Sequence, residues 1–250
     1  VIVTPGGAKG TLAALDKGTG AVVWRSAGVT DPAQYSSPIL VRHPAGEQVV
    51  QLVQKRVFGV SLGTGALLWQ ADFPGQTAVI PTAIHKDGNI YVTAGYGVGC
   101  KMVKIGNDGK SVSTVYENKV MKNHHGGVVL VGDHLYGHSD GAGWVCQDFK
   151  TGREVWAYRD FGKGAIHYAD GMLYCLDERS GAVALIEASP KGWSEKGRFK
   201  LDPLSANRHS RGGIWPPKKR RRNSCISSSG PPWPRRTRSV VRIFTTAGPT

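Results

Sequence analysis

The chain has 250 residues, of which 34 are glycine, 40% are hydrophobic and 20% are charged, and its formal net charge is +14. No apolar run approaches the roughly 18 residues that a membrane-crossing helix needs, which excludes a spanning helix. The charge is not spread evenly: residues 205–250 carry 11 Lys or Arg and no acidic residue, so the remaining 21 basic residues nearly balance the 18 acidic ones in residues 1–204. A polyanion-binding role for the whole chain is thereby excluded, and any such role belongs to the tail.

The chain opens inside an apolar stretch, Val1-Ile2-Val3-Thr4, without an initiator Met or a charged-then-apolar leader, and it is read as a piece of a longer protein. The first clear unit follows at Ala14-Leu15-Asp16-Lys17-Gly18-Thr19-Gly20-Ala21-Val22-Val23-Trp24. It returns at Gly65 with Trp69 and at Gly152 with Trp156, with weaker copies turning at Gly109 and Gly192. Successive turn glycines are 45, 44, 43 and 40 residues apart, the length of a four-stranded β-propeller blade. The fold class predicted is all-β, a propeller of four-stranded antiparallel blades with about five present. A first copy that begins at its second strand leaves an open sheet edge, so this piece on its own is expected to be marginally stable or to aggregate.

Within a copy the strands are short. The clearest parses as 127–131, 134–139, 144–149 and 154–159, with Gly132-Asp133 as a two-residue turn suited to type II′. Asp87-Gly88 and Asp170-Gly171 occupy the same place in their copies, each followed by an aliphatic-Tyr pair. In the fifth copy Ser180-Gly181 imitates the turn signature one strand too early, and the equivalent turn is 189–192. Gly95-Tyr96-Gly97-Val98-Gly99 precedes a strand pattern and not a helix, so it reads as a connection between second and third strands, not a phosphate loop. A sixth copy starts at Gly212-Gly213-Ile214-Trp215, but Pro216-Pro217 stops it, and Lys218-Lys219-Arg220-Arg221-Arg222 with later Ser and Pro runs cannot bury a core. Residues 1–204 are therefore expected to form a partial propeller. Residues 205–250 are expected to be a disordered basic tail or an out-of-frame translation.

The spaced residues Ala14, Asp16, Gly20 and Trp24 resemble the tryptophan-docking repeat of pyrroloquinoline-quinone (PQQ) type propellers. Asp148, Gly152 and Trp156 keep most of that pattern, and Gly65 with Trp69 keep its end. The stretches 93–97 and 123–129 are similar to those of secreted bacterial propellers of unknown function that carry PQQ-like repeats. The resemblance implies that the small residue makes room for close blade packing and that the Trp packs on the neighbouring blade, where its N–H also finds a partner. It further implies a periplasmic or extracellular location.

Quinoprotein dehydrogenases of this fold hold PQQ under a vicinal disulfide, with acidic and amide ligands to Ca²⁺. This chain has four separated cysteines (Cys100, Cys146, Cys175 and Cys225), and its Asp residues sit in turn motifs, so no cofactor is expected unless other blades supply the site. Cys146 and Cys175 fall in apolar strand patterns and are expected to be buried free thiols. The most suggestive polar constellation is His124-His125, read as entering a strand beside Gly126-Gly127. Neighbours on a strand point to opposite faces, so the pair is not expected to chelate one metal, and no metal site is expected. The reading preferred for them is loop histidines satisfied by backbone groups; the alternative is that one of them joins Asp140 or His167 from another blade to bind a ligand. The expected function is a non-enzymatic scaffold that binds protein or extracellular polymer, by analogy of fold with the barrel-assembly lipoprotein of Gram-negative bacteria. Two alternatives stand beside it: a fragment of a PQQ-dependent dehydrogenase, and polyanion binding through the tail, where nucleic acid would be held only non-specifically.

Overall fold

A computed structural model of the chain describes residues 1–201, in which every regular element is a strand. β1 (Ile2–Val3), β2 (Ala13–Leu15) and β3 (Val22–Arg25) form the first blade. The second holds β4 (Ile39–His43), β5 (Gly46–Leu52), β6 (Arg56–Ser61) and β7 (Leu67–Asp72), and the third β8 (Ile84–Lys86), β9 (Asn89–Ala94), β10 (Gly99–Ile105) and β11 (Val112–Asn118). The fourth is β12 (Val128–Val131), β13 (His134–Ser139), β14 (Gly143–Asp148) and β15 (Glu154–Tyr158), and the fifth β16 (Ile166–Ala169), β17 (Met172–Leu176), β18 (Ala182–Glu187) and β19 (Glu195–Lys200). Each blade is an antiparallel meander in chain order, as the repeat predicts. The expectations for residues 205–250 lie outside the described residues.

Two-residue turns close the inner hairpins, pairing Lys86 with Asn89, Val131 with His134 and Ala169 with Met172. Gly132 alone has positive φ (59°) in its turn, as type II′ requires. In the other two turns both residues do, Asp87 and Gly88 at 51° and 74° and Asp170 and Gly171 at 51° and 76°, which is type I′. The aspartates of the outer turns are consumed by local donors. Asp16 Oδ1 accepts from the Gly18 and Thr19 amides and the Thr19 hydroxyl, and Asp148 Oδ1 does the same with Thr151. In the third blade Asp108 accepts from the amides of Lys110 and Ser111, which hold its carboxyl down to about 2. Asp177 builds the same turn with Ser180 at the opposite end of its blade, between β17 and β18, so Ser180-Gly181 is one strand early as expected.

The core is four separate slabs, one between each pair of neighbouring blades. Leu12 and Ala14 pack on Phe58 and Val60; Val50 and Val57 on Ile90 and Val103; Met102 and Cys100 on Leu135 and Val145; and Tyr136 and Cys146 on Leu173 and Ala184. Middle strands are consequently buried on both faces, as β6 and β10 are through their central residues.

Every blade carries a register shift in the same place, between its third and fourth strands, which leaves Val23, Leu68, Val115, Val155 and Lys196 as the extra residues. Four of these turn outward: Val23, Val115 and Val155, 64%, 46% and 40% exposed, and Lys196. The next residue turns inward opposite the third strand. It is Trp24 across from Ala14, Trp69 across from Gly59, Tyr116 across from Met102 and Trp156 across from Cys146. Each reaches forward: Trp24 Nε1–H donates to Leu62 O at 2.9 Å, Tyr116 O–H to Phe149 O at 3.0 Å and Trp156 Nε1–H to Ser189 O at 3.0 Å, all in the following blade. Trp69 makes the link in two steps, donating to Gln48 Oε1 at 2.7 Å, while Gln48 Nε2 donates to Gly109 O of the third blade at 2.8 Å.

The turn glycine is where the ring of the preceding blade lands. A Cβ on Gly65 would overlap the Trp24 ring, and one on Gly152 would meet Tyr116 at 2.6 Å. Gly20 has the same backbone (φ 75° against 72° for Gly65) but nothing within 4 Å of its Cβ position. Gly20→Ala should cost only the left-handed backbone penalty of roughly 1–2 kcal/mol. Gly65→Ala should cost about 2 kcal/mol more for overpacking under Trp24. Urea denaturation of the two variants measures the difference, and equal losses would sink the ring-on-glycine account.

Candidate functional site

By alternation along the meanders, the loops between second and third strands emerge at the same end of the propeller as the blade-to-blade connections. At this end residues 95–98, 119–127, 140–142, 159–165 and 177–181 come together. Buried side chains set the 119–127 connection. Thr93 Oγ1–H is shared between Met121 O (2.8 Å) and Gly99 O (3.0 Å), and Asn123 Nδ2 donates to His138 O at 2.9 Å and Gly127 O at 3.1 Å. Fixed in this way, His124 and His125 lie in the connection ahead of β12. The expectation of a strand with the two rings on opposite faces is corrected here: their centroids are 4.7 Å apart. The reason is Gly126 and Gly127, whose φ values of 87° and 84° bend the backbone before pairing begins.

Asp140 and His124 lie on either side of a residue that the sequence did not single out. Lys163 Nζ donates to Asp140 Oδ1 at 2.7 Å and lies 2.9 Å from His124 Nδ1. His125 turns the other way, with Nε2 3.4 Å from Glu178 Oε2 of the fifth blade. Tyr96 completes the rim. Its ring meets the His124 ring edge-on at 4.5 Å, and it is 45% exposed. It holds a φ of 55°, which is uncommon for a bulky side chain and marks a conformation imposed by the surroundings. Those surroundings include Gly95, packed so closely on the His124 backbone that a Cβ would stand 2.6 Å from its Cα.

His167 is not brought to this cluster. It stands exposed on β16 opposite Tyr174, and among the described residues no hydrogen bond or ring contact links it to the rim. Instead it lines a groove of about 750 Å³ that runs from the inner-strand ends at Thr82 and Gly127 onto the apolar face of the fifth blade at Leu176, Val183 and Phe199.

The electrostatics favour neutral imidazoles. Burial, then the Lys163 ammonium and His125, holds His124 below the ordinary histidine value. Burial and Lys163 take His138, set edge-on to Trp144 at 5.6 Å, down to about 4. With Nδ1 facing Lys163, His124 presents an N–H donor at Nε2 beside the Tyr96 phenol, an arrangement for recognition by hydrogen bonding. Cys100, Cys146 and Cys175 are buried free thiols in three different blades, and burial pushes Cys146 up to about 11 and Cys175 further. Among the described residues no group of three His, Cys, Asp or Glu side chains is arranged to hold a metal ion.

A pH dependence follows. His138 takes up a proton near 6.5 when unfolded and near 4 when folded, so between these values the unfolded chain holds more protons and stability falls as pH is lowered through that window. The urea midpoint is expected to drop on acidification, with His124 contributing in the same direction. His138→Phe, which keeps a ring beside Trp144, should flatten the slope; an unchanged slope in that variant would assign the effect elsewhere.

Residues 1–158, which end with β15, match the family described as outer membrane protein assembly factor BamB. A search of curated proteins finds no match. Among solved structures, BamB from Moraxella catarrhalis is similar at a TM-score of 0.57 and 17% identity, over 77% of this chain and 59% of that one. The β-propeller domain of Cps50 (Swd1) from Myceliophteria thermophila is similar at 0.54 and 14%, over 78% and 67%, and the computationally designed Ika8 protein at 0.55 and 13%, over 76% and 56%. At these identities the likeness is one of fold, and the chain spans 59% of the length of the Moraxella protein. With the family matched over 158 of the 250 residues, on blades joined by the aromatic anchors of its repeat, the chain belongs to the BamB family of PQQ-like propellers.

Proposed function

We propose that the chain is the rim-bearing part of a non-enzymatic scaffold, working in the periplasm or at the cell surface, that docks a protein of outer-membrane assembly on the Tyr96–His124–Lys163 end of the propeller. The observation that carries this is the state of the rim itself. At its centre Lys163 is paired with Asp140, the His125 ring lies 3.4 Å from Glu178, and a strained aromatic, Tyr96, is held out to solvent. A general base or nucleophile would need a free side chain beside its target, whereas a recognition surface benefits from side chains ordered before the partner arrives. The family description, an assembly factor of the outer membrane, supports the class of partner.

The alternative of a quinone enzyme has less support. Its cofactor needs adjacent cysteines and a set of acidic ligands, and the described residues supply neither: the three cysteines lie in separate blades and no three-ligand group is present. The described residues therefore do not fit PQQ or its Ca²⁺. Polyanion binding through residues 205–250 lies outside the described residues.

The test places a photo-reactive phenylalanine at Tyr96 and, as a control, at His167 in the chain expressed in a Gram-negative host. A discrete adduct with a component of outer-membrane assembly is expected from the first position and not the second. In the chain without the photo-reactive group, Tyr96→Ala should weaken binding of the captured component about tenfold, roughly 1.4 kcal/mol. Absence of any adduct, together with dye-linked alcohol oxidation on adding PQQ and Ca²⁺, would replace this reading with the enzymatic one.

A further inference from the structure

Lys163 sits at the centre of the rim, and its contacts carry a condition. An ammonium has three donors and no acceptor, so the 2.9 Å approach to His124 Nδ1 is a hydrogen bond only while that nitrogen keeps its lone pair. His124 is therefore the neutral tautomer with its proton on Nε2. We infer that this contact makes the rim a pH-operated latch, in which neutral His124 ties residues 95–98 and 119–127 to Lys163 and Asp140, and protonation releases them.

The groups that face His124 decide the direction. From the third blade there is Tyr96; from the fourth, Asp140; from the connection into the fifth, Lys163. Along its own connection stand His125, backed by Glu178 of the fifth blade, and Lys122, whose Nζ lies beside Gly141. Protonating His124 sets two cations 2.9 Å apart, and the neighbouring carboxylate, Asp140, is already bound to Lys163 at 2.7 Å. The imidazolium is the group that must leave. Gly95 rests on the His124 backbone and Tyr96 on its ring, so the 95–98 loop loses its support with it. Burial and Lys163 both oppose charge on His124, which places the release on the acid side of an exposed histidine.

The use of the latch rests on the rim being a docking surface, but its operation is testable without any partner. Nitrogen-resolved NMR of the histidine rings and amide hydrogen exchange would be followed in the full chain between about pH 7.5 and about pH 5. Expected are the Nε2–H tautomer of His124 at the higher pH, a protonation midpoint below the ordinary histidine value, and exchange in residues 95–98 and 160–165 about tenfold faster at the lower pH after correction for the intrinsic rate. His124→Gln offers Lys163 an amide oxygen at any pH and should abolish the change; Lys163→Met should raise the His124 midpoint. An Nδ1–H tautomer near neutrality, or loop exchange with the same pH dependence in His124→Gln, overturns the latch while leaving the docking reading untouched. A working latch in a protein that gives no Tyr96 adduct would do the reverse.

Discussion

The structure depends on one contact repeated from blade to blade: an aromatic ring of the outermost strand reaching the next blade, its polar hydrogen given to a backbone carbonyl there or, for Trp69, passed on through Gln48. Blades are not joined by a shared sheet ladder, so this forward contact and the apolar slab behind it carry the association. Its parts explain each other. The turn needs a left-handed residue, glycine supplies it, and the missing Cβ leaves the seat that Trp24 occupies at Gly65 and Tyr116 at Gly152. The small residue opposite the ring, Ala14, Gly59 or Cys146, has its reason in the same place, because the ring lies across it. In the fifth blade the corresponding position is Gly197, next to the extra residue Lys196, and the forward anchor ends there.

Such a skeleton frees the loops at one end for other work. Their side chains come from three blades and two connections, and apart from the adjacent His124 and His125 no pair of them is close in sequence. Lys163 and His124 are 39 positions apart and Lys163 and Asp140 are 23 apart, yet Lys163 is hydrogen-bonded to both. The rim is therefore only as ordered as the blade packing beneath it. A change in a slab below, at Tyr91 or Leu135 for instance, would be felt at the rim through the relative setting of blades and not through any contact with it.

Much of the fold was legible because propeller blades write local chemistry into the chain. Turn dipeptides at 87–88, 132–133 and 170–171, the turn glycines and three tryptophans each answer to a requirement of a few neighbouring residues. Where that locality fails, so does the reading. Tyr116 replaces a Trp without any label in the sequence, since what is kept is a ring with a donor and not a residue type. Asp177 builds the same turn as Asp16 at the wrong end of its blade, so turn chemistry alone does not fix the phase. The site was harder still. The two adjacent histidines and Asp140 drew attention as titratable groups, while Lys163, Glu178 and Tyr96 acquire meaning only from contacts across blades. His167 shows the converse, an imidazole that no hydrogen bond or ring contact among the described residues draws into the rim.

The irregularity in each outermost ladder has a consequence for the perimeter. A regular outermost strand would offer the solvent an unbroken row of amides and carbonyls, a template on which another chain could add. The extra residue breaks that row once per blade and tilts the strand, while pushing a valine or a lysine outward at the break. The device that aims the aromatic anchor inward therefore also spoils the rim of every sheet as a nucleus for fibrous growth, and a protein with many open edges is kept from stacking on itself by the same residue that holds its blades together.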